Sequence, residues 1–202
     1  MRTILRSGVL TAYAALAAAA PLAAHAQAAD PAAGRVTGFY ATLLDTMKGG
    51  KSLGFAGRAR RLQPAVEQTF NLPYMVFLTV GPSYQSMSAA DKASIVAAFT
   101  RYTVASYAHN FDSYDGQKLA VDPGVLTRGP DKLVKTRIVS GSDTTPLDYR
   151  MRESGGSWKV IDVIYNSISP VTTQRSDFSA SVAQGGASAL VKKLDTLTAK
   201  LK

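Results

Sequence analysis

The sequence predicts an α+β fold in which helices pack on one side of a curved four-stranded antiparallel sheet. Apolar residues recur at helical spacing from residue 30 to about residue 110. Between residues 118 and 166 they alternate with polar residues, and helical spacing then returns near the C-terminus. A run of helices followed by a run of strands is typical of an α+β domain.

The first part of the mature chain predicts three helices. Residues 30–50 carry one continuous apolar face, which ends at a pair of glycines. A second helical stretch covers residues 58–70, and Pro64 is expected to divide it. Asn71 caps a third, almost wholly apolar piece, which Gly81 stops. This third piece is either a core helix or one wall of a cavity, because the two look alike in sequence.

Two further helices are predicted from capping and periodicity. Ser88 and Asp91 form a capping box that starts a long helix running to about Asn110. The chain closes with a helix whose apolar residues share one face. These residues are Leu190, Val191, Leu194, Leu197 and Leu201.

Four strands are predicted where the apolar period changes from 3.6 to 2. They cover residues 118–121, 133–140, 147–153 and 158–166. A turn at residues 154–157 joins the last two strands, which places Met151 opposite Val160 and Glu153 opposite Trp158. One face of this hairpin is then expected to carry a mainly apolar set. The set is Tyr149, Met151, Trp158, Val160, Asp162 and Ile164.

The N-terminus predicts export. Two arginines precede an apolar, alanine-rich run over residues 9–22, and small residues follow up to Ala26. This is the layout of a secretory signal peptide, and the run is shorter than the ~20 residues that a membrane span needs. We therefore expect cleavage after Ala26, removal of residues 1–26, and a single domain over residues 27–202 that works in the periplasm.

Composition narrows the function classes. The sequence has no cysteine, which excludes disulfide scaffolds and thiol catalysis. Its formal net charge is +9 and stays positive once the two signal arginines are removed. Because the basic residues form no long block, we expect no nucleic-acid partner. Anionic lipid head groups or an acidic protein fit the charge better.

Few residues predict catalysis. His109 is the one histidine in residues 27–202, the predicted mature chain. No group of His, Cys, Asp or Glu stands at metal-ligand spacing in the sequence. We therefore expect neither a metal nor a cofactor. Nucleophile-elbow, dinucleotide-binding and P-loop motifs do not occur in the sequence. Asp162 lies on an otherwise apolar strand face. It is either a hydrogen-bonded structural group or a carboxyl with a raised pKa inside a cavity.

Several short motifs follow one another along the chain. They are Phe39-Tyr40-x-x-Leu43-Leu44-x-x-Met47-Lys48, Phe70-Asn71-Leu72-Pro73-x-Met75 before Gly81, Tyr107-x-x-x-Phe111-x-x-Tyr114-x-Gly116, Asp148-Tyr149-Arg150-Met151-Arg152, Trp158-Lys159-Val160-Ile161-Asp162-Val163 and Arg175-Ser176-Asp177-Phe178. Together they resemble the MlaC-like, toluene-tolerance family of periplasmic lipid-binding proteins, over essentially the whole mature chain. The stretches 174–178 and 185–190 are most similar to the HpnM branch, which is associated with hopanoid biosynthesis. Residues 166–170 and Tyr84 depart from the family pattern.

The resemblance implies a nuclear-transport-factor-like cone with an apolar cavity. It implies a carrier, which we expect to be a monomer, that binds phospholipid or a hopanoid-type lipid and shuttles it between the inner and outer membranes. In the phospholipid branch the implied partners are an inner-membrane ABC transporter with an MCE domain and an outer-membrane lipoprotein–porin complex. In the hopanoid branch an RND-type exporter is the implied partner.

A carrier must shelter apolar chains from water. Exposing one methylene costs ~0.8 kcal/mol, so one acyl chain costs on the order of 10 kcal/mol. An apolar cavity between helices and sheet offsets this cost and needs no catalytic group. The residues predicted to line it, chosen by helix or strand face, are Phe77, Leu78, Tyr102, Tyr149, Met151, Val160 and Ile164.

Two other functions remain open from the sequence. A cone-shaped enzyme, such as an isomerase or dehydratase acting on a hydrophobic substrate, would use Asp162 and a tyrosine such as Tyr149 for proton transfer. A structural envelope protein would use its basic face to bind an acidic partner and would have no internal cavity.

Overall fold

The computed structural model describes residues 30–202. The predicted signal peptide, residues 1–26, lies outside the described residues. Within them the order is helices, then an antiparallel sheet, then a helix, which confirms the predicted α+β fold. The elements are α1 (Pro31–Thr69), α2 (Leu72–Val80), a 3-10 turn (Gly81–Tyr84), α3 (Ala89–Asn110), β1 (Lys118–Arg128), β2 (Asp131–Ser140), β3 (Asp143–Ser154), β4 (Ser157–Tyr165) and α4 (Pro170–Ala199).

The four strands form one meander in the order β1-β2-β3-β4. All three neighbouring pairs are antiparallel. The tight turn between β3 and β4 sets the predicted register, with Met151 opposite Val160 and Glu153 opposite Trp158. This part of the hairpin prediction is confirmed.

A β-bulge in β4 corrects the rest of the hairpin prediction. Arg150 pairs with Asp162 directly after the Met151–Val160 pair, so Ile161 is one extra residue in β4. Beyond the bulge every side chain of β4 changes face relative to the predicted alternation. Ile164 therefore pairs with Asp148 rather than sharing the face of Tyr149, and its predicted position on that face is wrong.

The range α1 contains two helical segments that meet at a kink, which agrees with the two helices that the sequence predicts. The bend lies at Gly50 and Gly54, whose φ angles of 38° and 58° are accessible mainly to glycine. The helix also continues through Pro64, so the predicted division at that residue is wrong. The two arms on either side of the bend correspond to the two predicted helices.

Local hydrogen bonds begin α2 and α3 where the sequence places them. The Asn71 side chain accepts a hydrogen bond from the Tyr74 backbone N–H at 3.2 Å. The Ser88 hydroxyl oxygen accepts one from the Asp91 N–H at 3.0 Å and donates its proton to the Asp91 carboxylate. Each cap satisfies a backbone donor that the first turn of a helix leaves unpaired.

The range α4 likewise contains two helical segments that meet at a kink. It begins at Pro170, where the Ser169 hydroxyl accepts a hydrogen bond from the Thr172 N–H at 3.0 Å, and it bends at Gly186, whose φ is 65°. The sequence predicts only the part after this bend. The earlier part is held against the protein by the buried side chain of Phe178.

The core lies between α1, α3 and the inner face of the sheet. Phe39 packs edge-on against Phe70 and Tyr107, with ring centroids 5.3 and 5.1 Å apart. Tyr40 packs edge-on against Tyr149 of β3 at 5.7 Å. Such edge-to-face contacts add to the stabilisation from burial, so this aromatic cluster joins the first helix firmly to the sheet.

Arg58 ties the bend of α1 to the end of α3. Its side chain is only 8 % exposed. Its Nε donates to the Ala108 carbonyl at 2.9 Å, and its Nη1 donates to the Gly50 carbonyl at 3.2 Å. Both carbonyls lie at C-terminal ends of helical segments, where backbone acceptors are unpaired and a positive charge is favourable.

Replacing Arg58 with methionine should lower the free energy of unfolding by roughly 1.5–3 kcal/mol, because two buried carbonyls lose a charged donor. Urea denaturation of the purified protein measures this difference. Arg60→Met, at an exposed position two residues later, is the matched control and should stay within about 0.5 kcal/mol of the wild type. Equal effects of the two substitutions would contradict the role given to Arg58.

Candidate functional site

A cavity of about 720 Å³ lies between α3, the first turns of α4 and the sheet. Its volume is within the usual range for small-molecule sites, ~300–1,000 Å³. Most of its wall is apolar. The apolar lining residues are Met47, Phe70, Met75, Phe99, Phe111, Ile138, Leu147, Val163 and Val171.

The cavity opens at one end of the sheet. The connections from α3 to β1, from β2 to β3 and from β4 to α4 all lie at this end, because alternate ends of antiparallel strands meet there. Gln117, Ser140 and Tyr165 from these regions line the cavity. Tyr165 and Ile168 are 51 % and 57 % exposed, so the rim carries large apolar side chains that face water.

Several hydroxyl groups on α3 are already hydrogen-bonded within their own helix. Thr103 donates to the Phe99 carbonyl at 2.9 Å, and Ser106 donates to the Tyr102 carbonyl at 2.9 Å. Both residues line the cavity. Because their donors are used locally, they present less polarity to the cavity than their residue types suggest.

The charged residues that line the cavity are both acidic. They are Asp112, at the rim, and Asp162, on β4; neither lysine nor arginine is found among the lining residues within residues 30–202. A bridging contact crosses the cavity wall, where the Gln174 side-chain amide donates to the Tyr102 hydroxyl at 3.3 Å.

Asp162 is the most buried charged group of the lining, with 5 % of the residue exposed. Ser169, the cap of α4, donates its hydroxyl proton to Asp162 Oδ2 at 2.6 Å. Burial raises the pKa of the Asp162 carboxyl, although the hydrogen bond from Ser169 and the nearby N–H groups of Val163 and Val171 act in the opposite direction. Within the described residues, Oδ1 has no hydrogen-bond partner.

Three buried tyrosines lie in and beside the inner wall of the cavity. Tyr40 and Thr136 share a hydrogen bond of 2.5 Å, and Tyr107 lines the cavity. The hydroxyl of Tyr149, on β3, has no hydrogen-bond partner among residues 30–202. Burial raises the pKa of each of these three phenols, so they remain neutral at physiological pH.

The residues predicted to bind lipid lie in different places. Tyr102 lines the cavity. Tyr149, Met151 and Val160 are fully buried in the core behind it and do not belong to the lining set. Phe77, Leu78 and Ile164 are half-buried, and they too lie outside the lining set. Their contact with a lipid stays a prediction.

Sequence reasoning missed much of the wall. Val171 and Gln174 belong to the part of α4 that was not predicted as a helix, so nothing placed them near the sheet. Phe99 shares a helical face with Tyr102, and Phe111 belongs to one of the motifs of the family resemblance. Both positions therefore carry a signal in the sequence.

The residues considered for catalysis, His109, Asp162 and Tyr149, are not joined by hydrogen bonds in the described part of the chain. His109 is exposed, and its Nδ1 lies 2.9 Å from the Leu201 carbonyl. Asp162 is bonded to Ser169, and no hydrogen bond joins it to Tyr149. Over residues 30–202, no group of three or more His, Cys, Asp or Glu residues is arranged to hold a metal ion.

The fold and the cavity define a class of α+β proteins with an apolar interior that opens at one end of the sheet. Residues 39–196 match the MlaC protein family, and the chain belongs to it. Among residues 30–202, no helix combines the length and apolar character that crossing a bilayer requires.

A solved structure shares this fold. It is a phospholipid-binding protein from Ralstonia solanacearum in complex with a phospholipid. The TM-score is 0.72 at 22 % sequence identity, and the match covers 85 % of this chain and 99 % of that one. The match over almost the whole neighbour supports the fold described above.

Asp162→Asn should become more stabilising relative to the wild type as the pH rises. A carboxyl whose pKa is raised by folding favours the protonated form in the folded state, so its contribution is present below pH ~3.8 and is lost as the pH rises through the folded pKa. Thermal and urea unfolding of both proteins between pH 4 and pH 7.5 measure this. Asp115→Asn, in an exposed turn, is the control for losing one carboxylate. A difference that does not grow with pH would contradict the expected linkage.

Proposed function

We propose that this protein is a periplasmic lipid carrier that binds a phospholipid or a hopanoid-type lipid in the cavity and shuttles it between the inner and outer membranes. The cavity between α3, α4 and the sheet, about 720 Å³ and mostly apolar, is the observation that carries this proposal. Membership of the MlaC family and the phospholipid held by the structural neighbour support it.

The apolar wall of the cavity suits an acyl chain. Each methylene that leaves water contributes ~0.8 kcal/mol, and the wall offers aromatic and aliphatic contacts along its length. The opening lies beside exposed Tyr165 and Ile168, so a head group can stay in solvent while the chain enters. Binding of this kind requires shape and burial rather than a reactive group.

The choice between lipid classes rests on the resemblance to the HpnM branch. The stretch 174–178 lies in the first part of α4, where Phe178 is buried. Arg175 lies close to Gly81: a Cβ at position 81 would be 3.5 Å from Arg175 Nη2. These residues position α4 beside the cavity. Their role in packing fits either a phospholipid or a hopanoid-type ligand, and both belong to the proposal.

Transport requires an untethered protein and partners at both membranes. We infer that residues 1–26 direct export and are removed after Ala26, so that residues 27–202 act as one domain and as a monomer. The proposed partners are an inner-membrane ABC transporter with an MCE domain or an RND-type exporter, together with an outer-membrane lipoprotein complex. The protein would act by binding and not by catalysis, in keeping with the lack of a hydrogen bond between Asp162 and Tyr149 in the described residues.

Lipid extraction tests the proposal directly. The mature protein, purified from the periplasm without detergent, should yield lipid in organic extracts, and mass spectrometry identifies its class. A stoichiometry near one lipid per protein is expected. Folded protein that carries no lipid, and that binds neither added phospholipid nor added hopanoid, would overturn the carrier function.

Filling the cavity should reduce binding. Ser106→Phe places a ring in the wall, and displacing two methylenes of ligand at ~0.8 kcal/mol each weakens binding roughly tenfold. Ser94→Phe, on the exposed surface of the same helix, is the matched control, since Ser94 makes a similar bond within the helix. Co-purified lipid per protein should fall for Ser106→Phe alone. An equal lipid content in both variants would show that the ligand lies elsewhere.

A further inference from the structure

We propose that Tyr165 and Ile168 form an apolar lip, which extends the cavity wall beyond the enclosed space and contacts lipids whose apolar part is too large for the cavity, such as diacyl lipids. The lip rests on the proposed function and narrows its substrate class. Two observations carry it, the turn that holds both side chains at the opening and the volume of the cavity.

Backbone pairing places Ile168 beside Tyr165. The Tyr165 N–H donates to the Ile168 carbonyl at 3.0 Å, and the Ile168 N–H donates to the Tyr165 carbonyl at 2.8 Å. Directly opposed residues of an antiparallel pair project their side chains to the same side, with Cβ atoms ~4.5–5.5 Å apart. Because Tyr165 lines the cavity, Ile168 continues its wall outward.

The turn between the two residues has an unfavourable backbone conformation. Asn166 and Ser167 have φ angles of 46° and 66°, and they are the non-glycine residues with positive φ in the described part of the chain. Positive φ at both central residues is the pattern of a type I′ turn, in which glycine is normally favoured. Strain of this kind persists only where the surrounding structure holds it, and it is typical of functional sites.

Neighbouring contacts fix the turn on both sides. Before it, Tyr165 pairs with Leu147 of β3, and the Asn166 N–H donates to the Pro146 carbonyl at 3.2 Å. After it, the Ser169 side chain caps the N-terminus of α4. The lip is therefore preorganised, so a ligand that contacts it loses little binding energy to ordering the protein.

The lip is unusually exposed for side chains of its size. Tyr165 and Ile168 are both more than half exposed. Over residues 30–202 the other exposed large apolar side chains are Tyr114, in the connection from α3 to β1 at the same opening, and Leu126, near the far end of β1. Exposed apolar side chains gathered at the opening of a cavity indicate a surface that contacts a ligand.

The volume of the cavity indicates which ligands reach the lip. A dry cavity of ~150 Å³ holds one benzene ring, or about 25 Å³ per carbon, so a volume of about 720 Å³ holds about 29 carbons. One C16 chain fits inside with room to spare, whereas the two C16 chains of a diacyl lipid carry about 32 carbons. The carbons nearest the head group of a diacyl lipid then lie at the opening, against Tyr165 and Ile168.

The release of two phosphatidylcholines tests the lip. Delipidated mature protein is loaded with dipalmitoyl phosphatidylcholine or with palmitoyl lysophosphatidylcholine, and each complex is mixed with an excess of dioleoyl phosphatidylcholine vesicles. Mass spectrometry measures over time how much of the loaded lipid stays on the re-isolated protein. The head group and the chain type are the same in both ligands, so the comparison isolates the number of chains.

Ile168→Ser should speed release of the diacyl lipid about fourfold, the factor for returning one methylene to water, and should leave release of the single-chain lipid within about twofold of the wild type. Leu126→Ser changes a similarly exposed side chain away from the opening, and it should release both lipids as the wild type does. Ile168→Leu keeps the apolar contact and should also release both lipids at the wild-type rate.

A general structural effect of Ile168→Ser would appear with both lipids. Equal acceleration of both, or no change with either, would therefore overturn the role of the lip. Slower release would show that the lip contacts the vesicle surface rather than the bound lipid, and it would overturn the proposal too. A wild type that takes up neither phosphatidylcholine nor an added hopanoid would instead overturn the carrier function, so the two failures are distinguishable.

Discussion

Packing of α1 on the inner face of the sheet is the constraint on which the rest of the structure depends. The Tyr40 ring meets Tyr149, and its hydroxyl bonds to Thr136, so one helix is fixed to β2 and β3 at once. Phe39 extends the same contact to Tyr107 of α3. Phe70 and Tyr107 belong to this aromatic cluster and also line the cavity, so the packing that fixes α1 to the sheet forms part of the cavity wall.

An open apolar cavity lowers stability, since its lining lacks partner atoms that a filled core would supply. Hydrogen bonds and ion pairs outside the cavity compensate for this loss of stability. Arg58 joins the bend of α1 to the end of α3, and Asp131 joins β2 to β3 through two arginines. A ligand that binds only the folded state would add to this stability by mass action, so occupancy and stability are coupled.

Local chemistry explains what the sequence could predict. Asn71 and Ser88 begin helices through hydrogen bonds to residues three positions away, and a tight turn sets the register of the last hairpin. The bulge at Ile161 has no comparable local signal, because an extra residue is stabilised by contacts across the sheet. The first part of α4 depends likewise on tertiary packing around Phe178, so the cavity wall it supplies could not be placed.

The bulge also bears on the chemistry of the site. Without it, Asp162 would continue the alternation that puts Tyr149 and Met151 on the inner face, close to the three buried phenols. With it, the Asp162 carboxylate lies at the start of α4, where it accepts a hydrogen bond from Ser169 and is stabilised by the helix N-terminus. One inserted residue thus separates the acid from the tyrosine that an acid–base mechanism would need.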